Sequence, residues 1–281
     1  MVNTEREFHF TDKDFEVVCK LIYSHAGIAL NASKKDMVYS RLARRLRATG
    51  LNTFHDYLRL LESNDHAEWQ AFTNALTTNL TSFFREHHHF PILAEHVRKH
   101  KDHHPINLWC SAASTGEEPY SMAMTMVDLF NSYTPPVRII ATDLDTNVLE
   151  KGKAGIYPME RLEKLPADTV KRFFLKGVGP QEGFASVRPE LRDMITFRQI
   201  NLLHDNWPLR PPFDAIFCRN VMIYFDKPTQ LRVLQKFVPL LRPDGLLFAG
   251  HSESFHQAAA HFKLTGNTVY QVADKVRAHH G

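Results

Sequence analysis

The sequence predicts an α/β fold: an open, doubly wound parallel-sheet domain, preceded by an all-helical domain and carrying a small antiparallel β insertion. Three observations predict it. Up to about residue 88 the apolar residues recur at helical spacing, and beyond it short apolar runs alternate with amphipathic segments, the mark of successive βα units. Ile106–Met126 reads as a buried strand (Ile106–Cys110), a loop of small residues (Ser111–Gly116) and a helix with Pro119 in its first turn. Strand, small-residue loop and helix start together form the ligand crevice of an open parallel sheet. The predicted domains are 1–88 and 89–281, with the insertion at about 177–200.

In the first domain, Thr11-Asp-Lys-Asp14 is a capping-box start, with aspartate in the N3 place. Phe15, Val18, Cys19 and Ile22 form the inward stripe of the helix that follows, and Gly27 ends it. Ser33 opens a second helix running to about Ala48, with Gly50 as terminator and Val38, Leu42 and Leu46 facing inward. Lys34, Arg41, Arg44 and Arg45 share another face of that helix, with no acid among them, and are expected to bind an acidic partner. Phe54, Tyr57, Leu58 and Leu61 mark a third helix; Trp69, Phe72 and Leu76 mark a fourth.

The stretch Thr77–Glu86 is rich in short polar side chains that favour turns and ends in two aromatics and an arginine. A helix from about His88 to His100 leads into the Ile106 strand. Val137–Ala141 is the next strand, running on to Asp143. Helices are expected from Asp145 to Ala154 and from Ala167 to Leu175. Phe213–Cys218 is an uninterrupted apolar strand, and Pro228–Leu241 a helix. Arg242-Pro-Asp-Gly245 then reads as a turn into the strand Leu246–Ala249, with a last strand near Thr268–Val272. The interval Gly177–Gln199 breaks the alternation. There Phe184–Arg188 and Met194–Gln199, joined by Pro189–Asp193, read as an inserted β-hairpin suited to partner recognition.

Composition narrows the function classes. At 281 residues, 43% apolar and 23% charged, the chain has ample material for a core, and a net charge of +3 leaves attraction to acidic partners to local patches. Met1–Phe10 has no signal-peptide apolar region, and no apolar run approaches the ~18 residues that span a bilayer. Three cysteines, Cys19, Cys110 and Cys218, lie in apolar segments, as reduced core cysteines of a cytoplasmic protein do. Seventeen histidines invite a metal site, but His87, His88 and His89 are consecutive and point different ways on a helix. His103-His104 and His279-His280 lack nearby partners at ligand spacing, so no metal is expected.

The chemistry of the crevice is more specific. Glu117 and Glu118 sit where a phosphate-binding loop would have no acids, and two carboxylates would repel a pyrophosphate. A ligand with a cationic end fits better, such as the amino group and sulfonium of S-adenosylmethionine. Asp143, at the end of the following strand, can accept both hydroxyls of a ribose. Asp145 is placed to cap a helix. Asn201-Leu202 and Arg219-Asn220 end later strands on the same crevice edge.

Five separated motifs carry a resemblance. Asn79-Leu-Thr-Ser-Phe-Phe-Arg-Glu86, Ser114-Thr-Gly-Glu-Glu-Pro-Tyr-Ser121, Ala141-Thr-Asp-Leu-Asp145, Asp214-Ala-Ile-Phe-Cys-Arg-Asn-Val-Met-Ile-Tyr-Phe225 and Leu246-Leu-Phe-Ala-Gly-His-Ser-Glu253 resemble those of the CheR family of chemotaxis receptor glutamate O-methyltransferases, over about Asp14 to Gln271. The resemblance implies a class I, Rossmann-like S-adenosylmethionine-dependent methyltransferase domain behind a helical receptor-binding domain. Its substrates would be glutamates on the cytoplasmic helices of methyl-accepting chemotaxis receptors, and its product S-adenosylhomocysteine. It also implies that Asn79, Thr81, Arg85, one of Glu117 and Glu118, Asp143, Asn201, Leu202, Arg219 and Asn220 contact the cofactor. Arg85 and Tyr224 would lie nearest the transferred methyl. In members that tether, the inserted subdomain binds a receptor C-terminal peptide. An RNA or small-molecule methyltransferase, or a non-catalytic scaffold binding both cofactor and receptors, are the alternatives; neither nucleic acid nor membrane insertion is expected.

Overall fold

Thr11 begins the first helix as its spacing predicts: its hydroxyl accepts the Asp14 N–H while the Asp14 carboxylate accepts the Thr11 N–H. The computed structural model of the chain describes residues 6–63, 65–102 and 104–273. These form two units. One holds the described residues up to Thr78 together with Tyr224–Asp226, and the other holds the rest.

The helical unit consists of α1 (Asp12–Ala26), α2 (Lys35–Thr49), α3 (Phe54–Glu62) and α4 (His66–Leu76). Gly27 and Gly50 close α1 and α2 in the left-handed conformation, at φ 68° and 71°. The start of α2 differs from expectation. Asn31, not Ser33, caps a short 3₁₀ turn that runs into the helix, because the Asn31 carboxamide accepts the Ser33 N–H. Val18, Ile22, Val38, Leu42, Leu46, Phe54, Tyr57, Leu61 and Phe72 are buried, each stabilising the unit by roughly 1.5–3 kcal/mol. Cys19 and Trp69 are half-buried.

The basic face of α2 is not free of acid in three dimensions. Helix α4 brings buried Glu68 against it, and Arg45 grips that carboxylate with Nε at 3.0 Å and Nη2 at 2.7 Å, while Tyr57 Oη donates to it at 2.7 Å. Arg41 donates to the carbonyls of Ala75 and Thr77 at the end of α4. Lys34 and Arg44 are exposed. Two of the four cations therefore hold the bundle together. The sequence separation of 23 residues between Arg45 and Glu68 hid this.

The sheet unit begins at Asn79 rather than near residue 89, because Phe83 and Phe90 already belong to its core. Its elements follow as α5 (His89–His100), β1 (Ile106–Cys110), α6 (Glu117–Phe130), β2 (Val137–Asp143), α7 (Thr146–Ala154), β3 (Ile156–Pro158), α8 (Ala167–Phe173), β4 (Phe174–Lys176), β5 (Phe184–Val187), α9 (Pro189–Asp193), β6 (Ile195–Gln199), β7 (Phe213–Cys218), α10 (Lys227–Phe237), β8 (Leu241–Ala249), β9 (Phe262–Gly266) and β10 (Val269–Val272). The main sheet has the order β6-β2-β1-β7-β8-β10-β9; its first five strands are parallel and β10 is antiparallel to both neighbours. From β1 the chain moves outward to β2 and β6, then returns to β7 on the other side. The switch point is thus at the carboxyl ends of β1 and β7, where an open sheet binds ligands.

The Phe184–Gln199 hairpin is not formed. β5 pairs with β3 and β4 in a separate three-stranded antiparallel sheet, whereas β6 pairs in parallel with β2. Pro189–Asp193, expected as the hairpin turn, is the short helix α9. The insertion therefore spans β3 to β5, not 177–200. Three-residue β3 and β4 are too short to show a period of two, so the sequence does not mark them as the partners of β5. Arg242–Gly245 lies within β8, where the register with β7 shifts, and β9 had no sequence signal strong enough to be read. No helix among the described residues is long and apolar enough to cross a membrane.

Candidate active site

The loop after β1 is held open by both neighbouring strands: Ser111 N–H donates to Phe217 O, and Ala113 N–H to Thr142 O, each at 2.8 Å. Gly116 caps α6 at φ 97°, and a Cβ there would lie 2.8 Å from Tyr157 Oη and 2.9 Å from Gly152 Cα. Only glycine fits both the conformation and the space. Asp143 closes the loop from β2. Its Oδ2 accepts the Ser114 N–H at 2.8 Å and its Oδ1 the Asp145 N–H at 3.0 Å. Burial pushes the Asp143 carboxyl up to about 6, against the pull of these N–H groups. Asp145 caps α7, as its position predicts.

Glu117 and Glu118 occupy the first turn of α6, both buried, and burial raises both carboxyls. They face different partners. Glu117 accepts the Thr115 hydroxyl at 2.6 Å, with Arg161 Nη1 at 3.7 Å. Glu118 accepts the Cys110 thiol at 3.2 Å and Arg219 Nη1 at 2.9 Å. Arg219, from the end of β7, is buried and carries the cluster. Its Nη2 also donates to Arg85 O at 2.5 Å and stands 3.2 Å from Glu86 Oε2. Although burial opposes it, Arg219, with the His251 and Asn220 donors, holds the Glu86 carboxyl down at about 2. One guanidinium thus bridges acids from two segments far apart in sequence.

The other expected residues fall around this frame. Asn79 Nδ2 donates to Asp145 at 2.8 Å, and Asn79 O accepts the Ser114 hydroxyl. Thr81 O accepts from Arg161, and Arg85 Nη1 donates to Leu80 O. Asn201 and Leu202 are buried beyond β6, in the turn that follows the bond from Ile200 N–H to Asp143 O. Asn220 sits at φ 58°, with its side chain 3.4 Å from Glu86. Tyr224 belongs to the helical unit, where its hydroxyl donates to Thr78 O and its carbonyl accepts the Ala29 N–H; Arg85 belongs to the sheet unit.

Of the histidines, His89 is a core residue bonded through Nε2 to Asn267 O, and His251 lies 3.2 Å from Glu86. His104 stands 3.4 Å from Asp214, while His103, His279 and His280 lie outside the described residues. Sequence reasoning missed Glu86 and Arg161 as parts of the site. Glu86 ends one of the quoted motifs, but only its low exposure distinguishes it from a surface acid.

The donor set fits S-adenosylmethionine. Two buried acids at the start of α6 oppose a phosphate and favour a cationic group, and Asp143 stands at the strand end that meets a ribose. Comparison with known proteins agrees. The model of the CheR methyltransferase SAM-binding domain matches residues 79–271, and that of the CheR methyltransferase all-alpha domain matches residues 13–77. The chain is 57% identical to the chemotaxis protein methyltransferase of Klebsiella aerogenes, over 92% of this chain and 89% of that one. It is 54% identical to chemotaxis protein methyltransferase 2 of Pseudomonas aeruginosa, over 95% and 96%. The Escherichia coli chemotaxis protein methyltransferase is 53% identical, over 96% and 94%. The seven-stranded sheet and the preceding helices are accordingly the class I methyltransferase fold behind an all-helical domain. This protein belongs to the CheR methyltransferase family.

Proposed function

We propose that this protein is a cytoplasmic protein-glutamate O-methyltransferase that converts glutamate side chains of methyl-accepting chemotaxis receptors to methyl esters during chemotactic adaptation. The observation that supports this most directly is end-to-end similarity, above half identical, to proteins named for chemotaxis methylation. S-adenosylmethionine supplies an electrophilic methyl group on a sulfonium. Asp143 holds the ribose hydroxyls, Asn201 and Asn220 hold the nucleoside, and the Glu117–Glu118 pair sets a negative potential for the cationic end. The substrate carboxylate, with a pKa near ~4.3, is already ionised at neutral pH, so the chain has no proton to remove. Its task is to orient that carboxylate and strip water from it. Arg85 can grip a carboxylate with one edge of its planar guanidinium while a lone pair stays free to attack.

Lys34 and Arg44, with the exposed edge of Arg41, are the docking face for the acidic receptor helix. The three-stranded sheet is the second contact: its exposed Ile156, Leu175 and Phe184 offer apolar side-chain contacts beside strand edges. A receptor C-terminal peptide added there as a strand would raise the local enzyme concentration. Methyl-labelled cofactor, a receptor cytoplasmic fragment and base treatment test the proposal. Methyl esters release volatile methanol in base. Label that stays on the protein, as N-methyl groups would, or no label at all, overturns it.

A further inference from the structure

Glu253 is a buried carboxylate, 5% exposed, just beyond the end of β8. Its Oε2 accepts the N–H of Gly250 at 2.6 Å and of Asn220 at 2.9 Å; its Oε1 accepts the N–H of Met222 at 2.8 Å. One side chain thus joins the turn after β8 to the turn after β7. Asn220 sits there at φ 58°, in the left-handed region that asparagine tolerates better than other residues with a side chain. The space is equally constrained, since a Cβ at position 250 would stand 2.4 Å from Asn220 Nδ2. Arg219, which bridges Glu86 and Glu118, is the residue immediately before this turn.

We propose that Glu253 is a positioning residue for cofactor binding: by gathering these backbone N–H groups it fixes the turn that aims Arg219 and Asn220 into the crevice. The proposal rests on the reading that Asn220 contacts S-adenosylmethionine. A carboxylate is the group this turn needs. It offers two acceptor oxygens to three converging donors, whereas an amide of the same shape offers one oxygen and turns two N–H groups toward donors. A surface acid would lose its bonds to water; a buried one keeps them, and charge-assisted bonds to N–H groups are the stronger kind.

The test compares the full-length protein with Glu253→Gln, Glu253→Asp and Asn220→Ala. The measurements are calorimetric Kd for S-adenosylmethionine, KM for cofactor and for a receptor cytoplasmic fragment, and Tm. In Glu253→Gln the cofactor Kd and KM should rise at least tenfold, with the receptor KM within twofold of wild type. Glu253→Asp keeps both oxygens on a shorter arm and should recover part of that loss. A merely structural acid would lower Tm while leaving the cofactor Kd of the folded protein unchanged, and that result overturns the proposal. Should the Gln variant fail to fold, Glu253→Asp decides alone: a raised cofactor Kd with unchanged receptor KM supports the role, and a wild-type Kd removes it. Weak binding by Asn220→Ala with wild-type binding by Glu253→Gln sinks only the Glu253 role. Wild-type binding by Asn220→Ala removes the contact on which the role rests.

Discussion

Asp143→Asn should take a pH dependence out of the stability of the free protein and make it a poorer binder of cofactor. Burial drives the Asp143 carboxyl from its ordinary 3.8 up to about 6 despite the N–H groups of Asp145 and Ser114. Holding that charge at neutral pH therefore costs about 3 kcal/mol. In the unfolded chain the proton leaves near pH 3.8; in the folded chain it stays until about pH 6. The folded state binds the extra proton in this window, so this group's contribution to stability is lost as pH rises from 3.8 through about 6. Asparagine cannot ionise. The amide offers one oxygen where the carboxylate gives one each to the Ser114 and Asp145 N–H groups, a pH-independent cost of about 1–3 kcal/mol; on top of it, stability relative to wild type should rise by up to about 3 kcal/mol between pH 4 and pH 7, read by denaturant unfolding at a series of pH values. Cofactor affinity should move the other way. Losing the charged acceptor for the ribose hydroxyls should weaken binding by about 1–3 kcal/mol, roughly five- to 150-fold in Kd by calorimetry. Wild-type affinity should also fall on acidification through about pH 6, as the acceptor is protonated, while the variant lacks that component. Equal affinity in the two proteins across this range would remove Asp143 from the site. A variant whose stability relative to wild type falls as pH rises would refute the burial argument.

Other outcomes follow from the same geometry. Arg219→Met should leave Glu86 and Glu118 facing each other without their shared cation and lower stability by about 3–5 kcal/mol, visible as a fall in Tm; an unchanged Tm would mean both acids reach water. Reversing Lys34 and Arg44 to Glu should raise the receptor KM roughly tenfold, more at low salt than at high, with cofactor Kd and Tm unchanged. Arg45→Glu should instead unfold the helical unit by several kcal/mol, about 3–5 by the usual cost of breaking a buried pair, because it sets a second acid against Glu68. Gly116→Ala should cost at least about 1–3 kcal/mol, since its φ of 97° and the 2.9 Å approach to Gly152 Cα admit no side chain; a wild-type Tm would show that the loop can rearrange.

The sequence by itself determined what is local. Helix starts and stops at Thr11, Gly27 and Gly50, the bounds of β1 and β7, and the cap at Asp145 all follow from side chains bonding to backbone a few residues away, or from an uninterrupted apolar run. The unusual acids of the loop after β1 were legible for the same reason: Glu117 and Glu118 stand next to the backbone whose ligand they exclude. Only the tertiary structure decided which distant groups meet. Nothing in the pattern of β5 and β6 says that one joins β3 and β4 while the other lies in parallel along β2, because a period of two specifies a face and not a partner. Glu68 and Arg45, or Arg219 with Glu86 and Glu118, are ordinary charges in sequence. They become fixed pairs because folding removes water from them together, and the penalty for burying each alone far exceeds that for burying them in contact. Glu253 is the clearest case: in the chain it is one more acid after a glycine turn, and only its burial against three backbone N–H groups gives it a task.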